Sequence, residues 1–252
     1  MSFTTLLYHE IRENRMLSPG QPSPIAVKQE YEDKLPSPLF VTLENFRSQM
    51  EYLSVNNYHT LTLEEIKAYY YKGAELPANS VLITFDDCYQ SVRLYAYPIL
   101  KQYQFHAVAF VVSGWLNVSD TPFAPERSVC LTEHDLTEMV DVFEYANHTD
   151  LLHTRFNQAT GRLQTATDAE FAQDLDRCNQ HSILGAKDVF AYPFGLFEDR
   201  NVKLLRQKGF LLAFTSNTGR NDRTIDPLLL KRNVIPYFME PAAFKALVRE
   251  IS

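Results

Sequence analysis

Cysteine and positive charge are both scarce in this chain of 252 residues. The three cysteines, Cys88, Cys130 and Cys178, are odd in number and far apart, which indicates neither a disulfide framework nor a Cys-x-x-Cys zinc site. Lys and Arg number 24 against 31 Asp and Glu, so the formal net charge is −7. This balance argues against a nucleic-acid surface, because phosphate binding needs a clustered excess of basic residues. A neutral or cationic partner is easier to reconcile with it.

Long apolar runs are also missing. No uninterrupted apolar segment approaches the roughly 20 residues needed to cross a bilayer. The first residues, MSFTTLLYHEIREN, lack the basic start and the long apolar stretch of a signal peptide. The sequence as given therefore predicts a cytoplasmic protein without a transmembrane segment. An extracellular or cell-surface location is the alternative, if an export signal has been removed or the true start lies upstream.

What the sequence does contain is a regular alternation of predicted strands and helices, in a composition (45% hydrophobic, 22% charged) that suits a soluble globular protein. Strands are predicted at residues 4–8, 81–85, 107–112, 143–146, 189–192, 211–215 and 233–235. Helices are predicted at residues 63–72, 92–103, 132–142, 199–208 and 241–251, with two more behind the N-caps Thr42 and Thr167. Such repeats predict an α/β fold with a parallel sheet, either a barrel or a doubly wound open sheet.

One segment interrupts the alternation. Residues 10–38 are polar and hold five of the thirteen prolines. Because loops of this length without a periodic pattern are usually functional flaps or disordered, we predict a long loop near the active site. The sequence has no internal repeat and no low-complexity linker, so residues 1–252 are interpreted as a single domain.

Polar side chains follow several of the predicted strands. In parallel α/β folds the working site lies at the carboxyl ends of the strands. These ends carry His9, the pair Asp86-Asp87, the histidines His148 and His153, and residues 193–195. Two carboxylates and three histidines are therefore expected to meet at one rim.

One Asp and two His form a good ligand set for a divalent transition metal that keeps positions open for water and substrate. In 147-NHTDLLH-153 the histidines are five residues apart, which on a helix would rotate them by roughly 140°. A turn between them is needed, and His-Thr-Asp after a strand is suitable turn chemistry. Of Asp86 and Asp87, one could bind the metal while the other acts as general base. Alternatively, one Asp caps the next helix, the other pairs with a basic residue, and the histidines are structural.

Together these motifs resemble the polysaccharide deacetylases of the NodB-homology type (carbohydrate esterase family 4), and most closely the branch that acts on poly-N-acetylglucosamine and related exopolysaccharides. The resemblance covers most of the chain, and its most specific pieces are TFDD and HTDLLH. The other matching stretches are LLYHEI, FRSQMEYLSVNNYHTLTLEEI, the residues on either side of TFDD from LPANSV to FHAVAFV, FAYPFG and GFLLAFTSNTG. The fold that this family implies is a distorted (β/α)7 barrel.

The resemblance also implies roles for individual residues. Asp87, His148 and His153 would bind the metal, commonly zinc, with cobalt or nickel as alternatives. Asp86 would be the base that activates water against the acetyl carbonyl. A backbone N–H near Phe194, in the position of the family's Pro-Tyr motif, would hold the oxyanion together with the metal, and Tyr192 and Pro193 are assigned to the same oxyanion and substrate site.

The chain departs from the family pattern at several places. No Leu-x-His motif occurs near the C-terminus, so His9 of 7-LYH-9 is assigned as the general acid, as in the permuted branch; the alternative is a histidine that caps the first strand. Ala191 replaces the family's usual arginine, and Arg232 is predicted to orient Asp86 instead, unless it is a surface residue. Trp115 could line a sugar subsite or pack under a loop.

A last departure is Cys88, which stands where most members have Gly at a sharp turn. We expect it to be tolerated and not catalytic.

The predicted function is a metal-dependent N-deacetylase that hydrolyses the acetamido groups of an N-acetylglucosamine-containing polysaccharide to acetate and free amine. Two alternatives stay open: a catalytically impaired carbohydrate-binding barrel, suggested by Ala191 and Cys88, and a deacetylase of a small-molecule amide.

Overall fold

A nine-stranded sheet forms the centre of the protein. The structure is a computed structural model that describes residues 1–249. The strands in chain order are β1 (Phe3–Tyr8), β2 (Glu10–Arg12), β3 (Ser23–Ala26), β4 (Lys34–Leu35), β5 (Phe40–Thr42), β6 (His59–Thr60), β7 (Ser80–Asp86), β8 (Ala107–Val111), β9 (Ser128–Val129), β10 (Phe143–Asn147), β11 (Ala186–Ala191), β12 (Leu212–Phe214), β13 (Arg220–Asn221) and β14 (Asn233–Val234). The central sheet runs β12-β11-β10-β8-β7-β1-β13, with β6 beside β7 and β14 beside β1. Its pairings are parallel except that of β1 with β13.

Helices connect the strands as the alternation predicts. They are α1 (Leu43–Val55), α2 (Leu63–Tyr71), α3 (Tyr97–Gln102), α4 (Glu133–Thr137), α5 (Arg162–Thr165), α6 (Asp168–Asn179), α7 (Asp199–Gln207) and α8 (Pro241–Val248). Thr42 and Thr167 are N-caps as expected, since each hydroxyl accepts the backbone N–H three residues on. Among residues 1–249 we find no helix with the length and apolar character that a membrane span requires.

The sheet curls into a barrel that the segment 230–234 helps to close. Leu230 bridges Phe214 at the end of β12, and the same segment continues as β14 alongside β1, at the other side of the sheet. Strands β7 and β8 are buried on both faces, because Ile83 and Phe85 pack in one core cluster while Leu82 and Phe110 pack in another. The predicted distorted α/β barrel is confirmed.

Several element boundaries differ from the prediction. The helix expected at 92–103 begins as a π-helix (Val92–Ala96) and becomes α-helical at Tyr97, because Pro98 has no N–H to donate to a regular ladder. The helix expected at 132–142 is only α4, which a turn connects to β10. The last helix, expected to reach residue 251, ends at Val248; residues 250 and 251 lie outside the described part of the chain.

Residues 10–38, which we call the strap, are more ordered than a long loop. β2 pairs with β5, and β3 pairs with β4 and with β9. The strap also packs on the barrel, since the ring of Tyr31 stacks on that of Trp115 with 5.8 Å between centroids. The segment predicted as a long loop therefore contains short strands, and Ile25 and residues 33–36 line the same pocket as Asp86 and Asp87.

Candidate metal centre and active site

The predicted site residues converge at the carboxyl ends of the strands. His9 follows β1, Asp86 ends β7, Asp87 comes next, His148 follows β10, and Phe194 follows β11. Together with His153, all of these residues line one pocket of about 190 Å³. One wall of the pocket comes from the strap, through Ile25 and residues 33–36.

Asp87, His148 and His153 form the strongest candidate for a metal centre. The Nε2 atoms of the two histidines are 3.2 Å apart, and Oδ1 of Asp87 lies 3.8 Å from Nε2 of His148 and 3.4 Å from Nε2 of His153. Ligand atoms at about 2.0–2.1 Å from a tetrahedral metal are about 3.3–3.4 Å from one another. The three atoms therefore have separations suited to a single small cation.

The environment of these ligands also fits a cation. Oδ1 of Asp87 is buried and accepts no hydrogen bond from the described residues. Burial, and then the charge of Asp86, raise the pKa of Asp87 well above its usual range, so the carboxylate needs a positive partner to stay ionised. Nδ1 of His148 lies 2.8 Å from the carbonyl oxygen of Ala191, a contact that fixes the tautomer leaving Nε2 free to bind metal.

Arg232 is paired with Asp86 inside the barrel. Its Nη1 and Nη2 donate to the two carboxylate oxygens at 2.6 and 2.8 Å, and its Nε donates to the carbonyl of Thr215 at 2.9 Å. Burial alone would raise the pKa of Asp86, but Arg232, His148 and His9 together hold it below its usual range. Asp86 is therefore a buried, oriented carboxylate. Its partner is Arg232, in place of the family arginine whose position is occupied by Ala191.

His9 reaches the same cleft. Its Nε2 lies 3.9 Å from Oδ2 of Asp86, and the side chain is almost fully buried. Burial lowers the pKa of His9 to about 4, although the nearby charge of Asp86 acts in the opposite direction. The free protein thus holds a neutral imidazole beside the carboxylate, facing the pocket.

Left-handed backbone is concentrated around the site. Asp87 (φ 69°), Cys88 (φ 55°), Thr149 (φ 78°) and Phe194 (φ 58°) all have positive φ, although none is glycine. Such conformations cost of order 1–3 kcal/mol each and persist only where the surroundings enforce them. Cys88 occupies the sharp turn predicted for it, with its Sγ 3.8 Å from the carbonyl oxygen of Phe110.

The ring of His153 is held between two aromatic side chains. Its centroid is 4.5 Å from that of Trp115 and 4.4 Å from that of Phe194. Trp115 is fully buried, contacts Tyr31 as well, and donates its Nε1–H to Gln29. The structure thus places Trp115 under the strap, so of the two alternatives predicted for it, this burial favours packing under a loop over stacking on a sugar.

Of the predicted Tyr192-Pro193-Phe194 stretch, only Phe194 lines the pocket. The hydroxyl of Tyr192 donates to the carbonyl of Leu228, and its ring stacks on Phe197, so Tyr192 faces the protein interior. Pro193 is buried as well. Direct substrate contact by Tyr192 and Pro193 is therefore not supported, because both residues are buried and neither lines the pocket.

Sequence reasoning did not find two residues at the pocket mouth. Arg155 donates from Nε and Nη2 to the carboxylate of Asp33 at 2.7 and 3.1 Å, and its guanidinium lies 4.9 Å from the Phe194 ring centroid. This ion pair fastens the strap to the segment that carries His153. The position of Arg155, two residues after a predicted ligand, was the only available signal for it.

Comparison with known proteins identifies the family of the chain. Residues 73–213, more than half of the sequence, match the family model described as polysaccharide deacetylase. Two curated relatives are both named poly-beta-1,6-N-acetyl-D-glucosamine N-deacetylase. The protein from Staphylococcus aureus strain MSSA476 is 29% identical over 180 residues, which cover 69% of this chain and 60% of the relative. The protein from Staphylococcus epidermidis is 25% identical over 215 residues, which cover 83% and 71%.

Solved structures share the fold over nearly the whole length. The Streptococcus pyogenes deacetylase PplD, in complex with acetate, has a TM-score of 0.77 and 22% identity, with 99% of each chain covered. IcaB from Ammonifex degensii has a TM-score of 0.74 and 23% identity, with 98% of this chain and 95% of that chain covered. The chain spans about 60% of the length of the S. aureus relative.

Proposed function

The chain belongs to the polysaccharide deacetylase family, and on this premise we propose that it removes acetyl groups from N-acetylglucosamine units of a polysaccharide. The reaction adds water across the amide bond, so that the C–N bond breaks and acetate and a free amine are released. One observation carries the proposal: the cluster of Asp87, His148 and His153 shares a buried pocket with the Asp86–Arg232 pair.

Asp87, His148 and His153 would hold a divalent metal, for which zinc is our first choice and cobalt or nickel the alternatives. When bound, the metal supplies Lewis acidity, which polarises the amide carbonyl and makes water more acidic. The protein contributes the ligands, their orientation and a buried environment, as His148 illustrates through its contact with Ala191.

The remaining steps belong to side chains around the pocket. Asp86, oriented by Arg232, accepts the proton of the attacking water. The backbone N–H of Phe194 donates to the carbonyl oxygen as negative charge develops on it. His9, which follows the strand beside that of Asp86, is neutral in the free protein; it takes up the water proton from Asp86 and delivers it to the departing nitrogen. Together, the base, the acid and the oxyanion donor surround the position proposed for the amide bond.

The size of the cleft supports a polymeric substrate. The pocket, at about 190 Å³, opens beside a groove of about 800 Å³, and the two share Ile25, Asp33 and Arg155 among their walls. A sugar in the pocket would therefore have room for its neighbours in the chain. The curated relatives are named for poly-β-1,6-N-acetylglucosamine, so an oligomer of that polymer is the substrate that we propose to test first.

Acetate release from β-1,6-linked N-acetylglucosamine oligomers, measured together with bound metal, tests the proposal. We expect the wild-type protein to bind one divalent ion and release acetate, and His148→Ala to lose both. Faster hydrolysis of oligomers than of the monomer would support polymer deacetylation over action on a small amide. Glycan binding without acetate release at any metal loading would instead identify an impaired carbohydrate-binding barrel.

A further inference from the structure

The loop between the two histidines of the metal centre is strained. Thr149 has φ 78°, and a β-branched residue in the left-handed region is a genuine conformational outlier. This turn is what lets His148 and His153, five residues apart, bring their Nε2 atoms within 3.2 Å. Some surrounding contact must hold it, because strained backbone persists only where neighbouring structure enforces it.

Asp174, on α6, supplies such a contact. Its Oδ1 accepts the backbone N–H of Asp150 and its Oδ2 accepts that of Leu151, both at 2.8 Å. The side chain is fully buried, and Arg177 donates to its Oδ2 at 3.3 Å. A carboxylate, which has acceptors on both oxygens, thus spans two successive N–H groups that directly follow the strained residue.

Other contacts hold the same loop. Asp150 accepts hydrogen bonds from Ser113 and from Arg177, both at 2.8 Å. Its carbonyl accepts the N–H of Gly114, and a Cβ added to Gly114 would lie only 2.4 Å from that oxygen. The loop is therefore fixed between the end of β8 and helix α6, and Asp174 is the fully buried acidic member of this network.

We propose that Asp174 is a positioning residue that pre-organises His148 and His153 for metal binding. An Asn at this position keeps the shape of the side chain but has only one acceptor oxygen. Its NH₂ group would face the other backbone N–H, donor against donor, and that hydrogen bond would be lost. The loop can then relax, and the two imidazoles lose their relative placement. The inference rests on the metal centre of the proposed function, and outer-shell partners of this kind typically change metal affinity 10–100-fold when they are mutated.

Asp174→Asn tests the proposal, with Asp176→Asn as the matched control. Asp176 lies on the same helix, but its side chain is 59% exposed and pairs with Lys208. Each protein is titrated with Co²⁺, whose visible absorption reports ligand geometry, and with Zn²⁺ against a chromogenic chelator. We expect Asp174→Asn to bind both ions about 10–100-fold more weakly and to show an altered cobalt spectrum, with Asp176→Asn like the wild type.

The possible outcomes separate the two proposals. A folded Asp174→Asn protein with wild-type metal affinity and cobalt spectrum overturns the positioning role, even if its thermal midpoint in chelator is lower. A wild-type protein that binds no metal overturns both the metal centre and this inference. If Asp174→Asn does not fold, Arg177→Gln replaces it, because that side chain is partly exposed and contacts both Asp150 and Asp174. Unchanged metal affinity in Arg177→Gln then overturns the proposal.

Discussion

Arg232 donates two hydrogen bonds to Asp86 across 146 residues of sequence, and both side chains are buried. Arg→Lys is not conservative at such a site, because an ammonium cannot reproduce the two parallel N–H groups of a guanidinium. We expect Arg232→Lys to lower kcat for acetate release by about 10²-fold, since the base is no longer held in place. Metal affinity should be unchanged.

The matched control for Arg232→Lys is Arg200→Lys, in which the arginine pairs with an exposed Asp168. It should retain wild-type activity. Full kcat in the Arg232→Lys enzyme would contradict the assignment of Asp86 and Arg232 as an oriented base. Arg232→Ala should in addition lose about 3–5 kcal/mol of unfolding free energy, because it leaves a buried carboxylate unpaired.

Removal of metal should destabilise the fold. A free metal concentration of about 100 times Kd adds about 2.7 kcal/mol to the free energy of unfolding. For a chain of this size that is about 5–10 °C in Tm, measured by differential scanning calorimetry with and without chelator. His148→Ala should lose this dependence, whereas His134→Ala, whose side chain is 80% exposed, should keep it. Equal midpoints for the wild type in metal and in chelator would disprove the assignment.

His9 can be tested through the leaving group. His9→Ala should lower the rate of amide hydrolysis by roughly 10²–10⁴-fold, the usual contribution of a general acid. Hydrolysis of an aryl acetate should fall far less, because a phenolate departs without being protonated. His59→Ala, at a half-buried position paired with Glu65 outside the pocket, is the control. Equal losses on the two substrates would exclude proton donation as the role of His9.

Replacing Cys88 with Gly should leave activity intact. Removing the side chain relieves a left-handed backbone cost of about 1–2 kcal/mol but gives up about 1 kcal/mol of burial. We expect a change in unfolding free energy within about 1 kcal/mol, measured by urea denaturation. Cys178→Gly, at a buried position in the last turn of α6, gains no such relief and should be destabilised by about 2 kcal/mol. Abolished acetate release in Cys88→Gly would show that the thiol takes part in the reaction.

The ion pair between Asp33 and Arg155 should affect substrate binding more than chemistry. Asp33→Asn removes the charge that holds the strap beside Phe194. If the hydrogen-bonded ion pair contributes about 1 kcal/mol to the free energy that holds the strap in place, its loss corresponds to roughly a fivefold higher KM for oligomers, with kcat preserved. Asp168→Asn, which breaks an exposed pair with Arg200, is the control. If kcat falls while KM stays constant, the strap acts on the reacting groups instead.

The barrel and the cluster of candidate metal ligands could be predicted because their signals are local. Alternating strands and helices give the architecture, and the strand-end rule places Asp87 and His148 on one rim. The pairing of Arg232 with Asp86 required the family's missing arginine as a clue. Asp174 carried no such signal, because its partners are backbone N–H groups, which every sequence has.

Burial was the property least accessible from the sequence. Tyr192 and Trp115 lie at or just after the carboxyl ends of predicted strands, and the sequence would be the same whether these rings were exposed or buried. Trp115 is covered because Tyr31, 84 positions earlier in the sequence, stacks on it from the strap. Order in the strap was equally hidden, because its short strands pair with β5 and β9, which the strand and helix patterns did not predict.

Barrel closure by the segment 230–234 has a consequence for biosynthesis. A ribosome adds residues from the N-terminus, so the three ligand candidates and Asp86 have all been translated well before Arg232. A nascent chain that ends before this segment holds Asp86 without its guanidinium partner and has β1 without β14. The proposed base is therefore oriented only once residues 230–234 have been translated, and a product that ends before them has the candidate metal ligands but lacks the Arg232 partner of Asp86.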